Sequence, residues 1–117
     1  MQLEDYVRLN QLYDLYGLLL TERQRNVLRL HVCEDLSLYE ISQRLNISRQ
    51  AVSDALNNAR TRLEDYEQRL SLLSKSQSAH NIFLKLEEAC KSSEYNSALI
   101  NELLDELCNI FEPNKEE

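Results

Sequence analysis

The sequence predicts an all-α protein: a helix-turn-helix module built around one long helix, followed by two further amphipathic helices. One glycine and one proline among 117 residues leave too few breakers for hairpins and tight turns. Apolar residues recur in steps of three and four along most of the chain. Between Ser37 and Arg62, two serine caps on either side of a short break mark two consecutive helix starts.

From Leu3 to Leu19, the side chains of Leu9, Leu12, Tyr13, Tyr16 and Leu19 or Leu20 keep a 3.6-residue period, giving a first helix with Gly17 near its end. Thr21 caps a second helix, with Gln24 in the N3 slot of a capping arrangement. Val27, Leu28, Leu30 and Val32 supply its apolar side before Glu34-Asp35 breaks away. Ser37 then caps a third helix carrying Leu38, Ile41 and Leu45, and Glu40 three residues on completes a capping box. Leu36 and Ile41 occupy the positions of a hydrophobic staple, as do Ile47 and Val52 around the next cap. Asn46, a residue that tolerates positive φ, makes the turn, and Ser48 caps the fourth helix.

That fourth helix meets no stop signal until the serines at 71, 74, 76 and 78, and Leu56, Ala59, Leu63, Tyr66, Leu70 and Leu73 along it alternate like a coiled-coil seam. Unbroken, it spans about 40 Å at 1.5 Å per residue. Beyond the serines, Ala79, Ile82, Phe83, Leu86, Ala89 and Cys90 form the stripe of a shorter helix. Asn96 or Ser97 starts the last one, where Leu99, Ile100, Leu103, Leu104, Leu107, Ile110 and Phe111 share one broad face before Pro113. Residues 1–70 are expected to form the helix-turn-helix domain, 71–112 a helical extension, and 113–117 a disordered tail. The seven-residue face either folds into a core within the chain or forms a self-complementary homodimer interface.

No stretch approaches 18 apolar residues and the N-terminus carries charges, so a cytoplasmic protein without a membrane partner is expected. Cys33, Cys90 and Cys108 are odd in number, far apart and without CxxC spacing, which reads as reduced thiols, mostly packed in the core. His31 near Cys33 is too small a ligand set for a metal, and no cofactor is expected. With Gly17 as its only glycine, the chain cannot build a phosphate-binding loop, and no nucleophile, base and orienting acid group together. An enzyme is not expected.

The formal net charge is −7. From Thr21 to Arg62, seven arginines (23, 25, 29, 44, 49, 60, 62) face five carboxylates (22, 34, 35, 40, 54), giving 7 − 5 = +2 and leaving −9 for the remainder. A weakly basic module is fused to an acidic body. On the fourth helix, Val52, Ala55, Leu56, Ala59 and Leu63 cluster on one side and are expected to be buried, with Gln50, Ser53, Asp54, Asn57 and Thr61 opposite. The N-terminal end of a recognition helix is the part that reaches base edges. Gln and Asn pair with adenine and Arg with guanine, so Arg49, Gln50 and Asn57 are suited to base reading, with Ser53 on the same face. Asp54 repels phosphate there and can only accept from a cytosine amino group. Arg23 and Gln24, at the start of the second helix, are candidates for phosphate.

Leu20, Thr21, Gln24, Arg25 and Asn26, then Asp35, Ser37, Leu38, Glu40 and Ile41, then Ser48, Arg49, Gln50, Ala51, Val52 and Asp54 match successive motifs of a family of small bacterial proteins. Together with the LYDLY run of the first helix, this resembles the YlxM-like family. The resemblance implies a helix-turn-helix similar to region 4 of sigma factors. Members are encoded beside genes of the signal recognition particle, which implies a role in that pathway.

Three readings follow. The leading one is a non-enzymatic helix-turn-helix accessory or regulatory protein of the signal recognition particle pathway, touching the particle's RNA or protein. The second is a DNA-binding transcriptional regulator acting as a dimer on duplex DNA. The third is a pure protein–protein scaffold.

Overall fold

The computed structural model describes residues 2–112; the tail expected at 113–117 lies outside the described residues. Among them the structure is all-helical, with α1 Leu3–Tyr16, α2 Glu22–Val32, α3 Leu38–Leu45, α4 Arg49–Leu70, α5 Leu72–Lys91 and α6 Ser97–Phe111. Residues through Ser71 form one compact unit and those from Leu72 onward a second.

The starts in the first unit are fixed by side chains. Thr21 and Gln24 exchange hydrogen bonds at the head of α2 (Gln24 N to Thr21 Oγ1 3.2 Å, Thr21 N to Gln24 Oε1 3.1 Å). Ser37 and Glu40 do the same at 3.1 Å each for α3. Ser48 Oγ accepts from Ala51 N at 3.0 Å to open α4. Each cap satisfies donors that a helix leaves orphaned and is worth about 1 kcal/mol.

The turns are equally specific. Asp35 (φ 57°) lets Leu36 N reach back to Leu30 O at 3.0 Å, and His31 Nδ1 donates to the Leu36 carbonyl at 3.0 Å. Asn46 takes the left-handed conformation (φ 55°, ψ 47°), with its N–H on Ser42 O and Ile47 N on the same oxygen at 3.1 Å. Gly17 has ordinary helical φ at the start of a 3-10 turn, Gly17–Leu19, and its role is space: a Cβ there would lie 3.0 Å from Tyr13 Cδ2. That turn exposes Leu19 and buries Leu20.

The faces of α4 turned to α1, α2 and α3 make the core. Val52, Ala55, Leu56, Ala59 and Leu63 are all buried, together with Leu9, Leu12, Tyr16, Val27, Leu28, Leu30 and Ile41. Each large side chain taken from water contributes about 1.5–3 kcal/mol.

Several expectations need correction. The long helix ends at Leu70, about 33 Å after its start, because Ser71 turns into the left-handed region (φ 56°). The seam also fails in its last turns. Leu70 is 46% exposed, and the buried position of that turn is taken by Glu67, whose Oε1 accepts from Tyr16 Oη–H at 2.7 Å. Ser74, Ser76 and Ser78 do not interrupt α5; they are solvent-facing positions where serine costs only a few tenths of a kcal/mol, so α5 runs 20 residues. Cys33, Cys90 and Cys108 are all exposed rather than in the core. Cys33 sits where α2 ends, and the other two lie on α5 and α6, which pack as a helical hairpin with a single buried seam and little interior to receive them.

In that second unit, Asn96 Oδ1 accepts from Leu99 N at 3.1 Å to cap α6. Of the seven apolar residues on α6, Leu103 is buried, Ile100, Leu107 and Ile110 are half-buried, and Leu99, Leu104 and Phe111 are exposed.

Candidate nucleic-acid interface

The N-terminal end of α4 stands on a rigid base. The left-handed Asn46 ends α3, Ser48 caps α4, and Val52 and Ala55 anchor the first two turns in the core. Arg49, Gln50, Asp54 and Asn57 are consequently held on the solvent side, with Ser53 half-buried among them.

Arg49 occupies the first helical position of α4, whose first turn contains no acidic residue. The positive end of the helix dipole and a cation thus face the same solvent, a combination that attracts anions. Gln50 Nε2 donates to Asp54 Oδ1 at 2.9 Å, which orients the Gln50 amide and leaves its carbonyl oxygen and second N–H available. Asp54 has a local positioning partner that spacing alone does not reveal. The Asn57 carbonyl accepts from Thr61 Oγ1 at 3.0 Å.

The pair proposed for α2 divides. Arg23 is exposed and shares a shallow depression with Glu22, Asn26 and Leu45, the last being at the end of α3 just before the turn into α4. Gln24 is half-buried and its carbonyl oxygen is engaged by the Thr21 backbone, so its work is capping rather than phosphate binding. The capping spacing Thr21-x-x-Gln24 is the signal for this, and it outweighs the helix-terminus argument.

Among the other cations of the module, Arg29 pairs with Glu34 at 2.9 Å and Arg62 donates to Tyr66 Oη at 3.0 Å. Arg44 is exposed in the last turn of α3, beside Tyr39, Glu40 and Gln43. The charge balance alone gives Arg44 no role; its position on the first helix of the motif does, because that helix crosses the nucleic-acid backbone in such modules. No group of three or more His, Cys, Asp or Glu placed to hold a metal occurs among the described residues. No described helix is long and apolar enough to cross a membrane.

Residues 3–103 match a family model described as "Putative helix-turn-helix protein, YlxM / p13 like" and designated UPF0122. Among relatives, a UPF0122 protein of Shouchella clausii (strain KSM-K16) is 39% identical over 105 residues, covering 90% of this chain and 95% of that protein. UPF0122 proteins of Bacillus cereus (strain AH187) and Bacillus anthracis (strain A0248) are each 36% identical over 110 residues, covering 94% of this chain and 96% of theirs.

Proposed function

The chain belongs to the UPF0122 family of YlxM/p13-like helix-turn-helix proteins, and from that membership we propose that it is a non-enzymatic regulatory protein that contacts nucleic acid with modest affinity through the head of α4. One observation carries this reading. Arg49 and Gln50 stand exposed on a capped, core-anchored helix whose first turn has no carboxylate to oppose an incoming phosphate.

Modest affinity follows from the charge count. A tight duplex binder neutralises several phosphates, and each released counterion steepens the salt dependence. Here Arg49, Arg44 and Arg23 are exposed cations, whereas exposed Arg29 and Arg62 are engaged by Glu34 and Tyr66, and Asp54 lies between Arg49 and Asn57 along α4. Two or three phosphate contacts suit an auxiliary role better than sole control of an operator. The pathway implied by the family resemblance, that of the signal recognition particle, offers basic and RNA-containing partners for a protein of net charge −7.

The test is a titration of the full chain against random duplex DNA, its own upstream region, the particle's RNA and the particle's protein component at several salt concentrations. Weak, salt-sensitive nucleic-acid binding that drops on Arg49→Ala supports the reading. Absence of binding to every nucleic acid at low salt, with the protein component still bound, replaces it with the scaffold reading.

A further inference from the structure

The apolar stripe of α6 is wider than one neighbouring helix can cover. At about 100° per residue it spans roughly 140°, with Leu99 at one edge, Leu104 and Phe111 at the other, and Leu103 between. Leu103 is buried, and Leu99 and Leu103 line a groove with Lys85, Glu88, Ala89 and Ser92 of α5. That groove defines one side of the α5–α6 hairpin. The opposite side therefore carries the other edge of the stripe, Leu104 (48% exposed) and Phe111 (56%), next to Phe83 (55%) on the edge of α5 away from the groove.

We propose that this side of the hairpin, carrying Phe83, Leu104 and Phe111, is a homodimer interface in which two copies of the chain pair about a two-fold axis. Two features select a second copy as the occupant. The first is the composition of the rim. Asn101 and Cys108 flank Leu104 on α6; on α5, Ser76, Cys90, His80 and Glu87 surround Phe83, with His80 stacked on its ring and Glu87 paired with Lys91 at 3.7 Å, whereas Glu102, Asp105 and Glu106 fall on other sides of α6. An acidic protein can meet its own copy only where like charges are not forced together, and on this face the carboxylate beside Phe83, Glu87, carries its own counter-charge in Lys91.

The second feature is size and self-complementarity. Three large side chains, each about half exposed, offer about 300 Å² per copy and about 600 Å² in a pair, the apolar centre of an interface of about 1,200 Å² once a polar rim is added. Because both helix edges contribute, an isologous pairing sets Phe83 of one copy against Leu104 and Phe111 of the other. This inference is independent of nucleic-acid binding by α4.

Sedimentation equilibrium on the full chain, from micromolar to hundreds of micromolar, tests it, with circular dichroism confirming that each variant stays helical. Twice the single-chain mass is expected for the unaltered protein. Leu104→Glu and, as a milder change, Phe111→Ser should weaken self-association more than tenfold. Leu84→Glu should leave it intact, because Leu84 is similarly exposed (48%) but lies on the back of α5. A chain that is monomeric throughout, an assembly larger than two, or a dimer insensitive to both face variants or equally dispersed by Leu84→Glu overturns the proposal.

Discussion

Gln50 Nε2 donates a 2.9 Å hydrogen bond to Asp54 Oδ1 one turn further along α4, so a carboxylate orients the exposed amide at the head of the helix. Asp54 has two opposed effects. It positions Gln50, and under the proposed function its charge opposes the phosphates that Arg49 would attract. Replacing it with alanine removes both, and the charge dominates for non-specific binding because it acts over about 10 Å at 0.1 M salt. Asp54→Ala should therefore tighten binding to random duplex DNA by about 3–10-fold at low salt, and Arg49→Ala should weaken it comparably. Fluorescence anisotropy at two salt concentrations checks both. Equal affinities for all three proteins would remove the head of α4 from the contact.

Tyr16 is buried at the end of α1 and donates at 2.7 Å to Glu67, which is 9% exposed on the last turns of α4. Removing the hydroxyl in Tyr16→Phe withdraws a donor from a desolvated carboxylate, a loss of about 1–3 kcal/mol. For a unit of this size, each kcal/mol lowers Tm by about 4–8 °C. Glu67→Gln keeps an acceptor in place and should cost less than Tyr16→Phe. Thermal melts followed by circular dichroism measure the difference, and an unchanged Tyr16→Phe melt would show that the bond contributes nothing to stability.

That contact also marks where sequence reading stops. Signals that act within one turn were legible: the Thr21, Ser37 and Ser48 caps, the left-handed Asn46 and the buried Val52-to-Leu63 face of α4 are where local patterning puts them. Glu67 was not, because its partner is 51 residues away and the leucine three residues later fits an apolar period better. Ser71 was legible only as the first of a serine cluster and not as the residue that alone ends α4, because serine adopts positive φ at a cost of about 1 kcal/mol and has no signature for doing so. The thiols were misplaced because cysteine's habit of burial presumes an interior, which a two-helix hairpin largely lacks. At the candidate interface, exposure of Arg49, Gln50 and Asn57 follows from the helical wheel, while the Gln50–Asp54 bond depends on rotamers no spacing rule supplies.

Arg8 of α1 and Glu64 of α4 form a two-pronged ion pair, with Nε to Oε1 and Nη2 to Oε2 both 2.8 Å. The hydrogen bonds from Arg8 hold the Glu64 carboxyl below its ordinary range. A depressed carboxylate stabilises the fold above its unfolded pKa, and that contribution is lost as pH falls through the folded value. Both side chains are about half exposed, so screening limits the pair to about 0.2–1 kcal/mol. Glu64→Gln should lower Tm by a few degrees near pH 7, and the gap should close between about pH 5 and pH 3. Melts of both proteins across that range are the measurement; a gap that widens on acidification contradicts the sign.

Asn46 sets the angle between α3 and α4, and its conformation gives a sharper mutational test than any side-chain contact. At φ 55° and ψ 47°, a Cβ crowds the backbone, a cost of about 1–2 kcal/mol that asparagine partly offsets by its local polarity. Alanine has the Cβ without that offset, so Asn46→Ala should destabilise by about 1 kcal/mol. Glycine removes the clash but gives the unfolded chain more freedom, and these opposing terms leave Asn46→Gly within about 0.5 kcal/mol of the original. The order Gly ≥ Asn > Ala in urea midpoints, with a constant m-value, is the expected result. Valine, branched at Cβ, should fall below alanine. Because Ile47 and Asn46 both direct their N–H groups to Ser42 O, the turn can relax out of the left-handed region only by giving up these bonds. Equal midpoints for glycine and alanine would therefore mean that the turn does relax and that the head of α4 is not held where the bases would meet it.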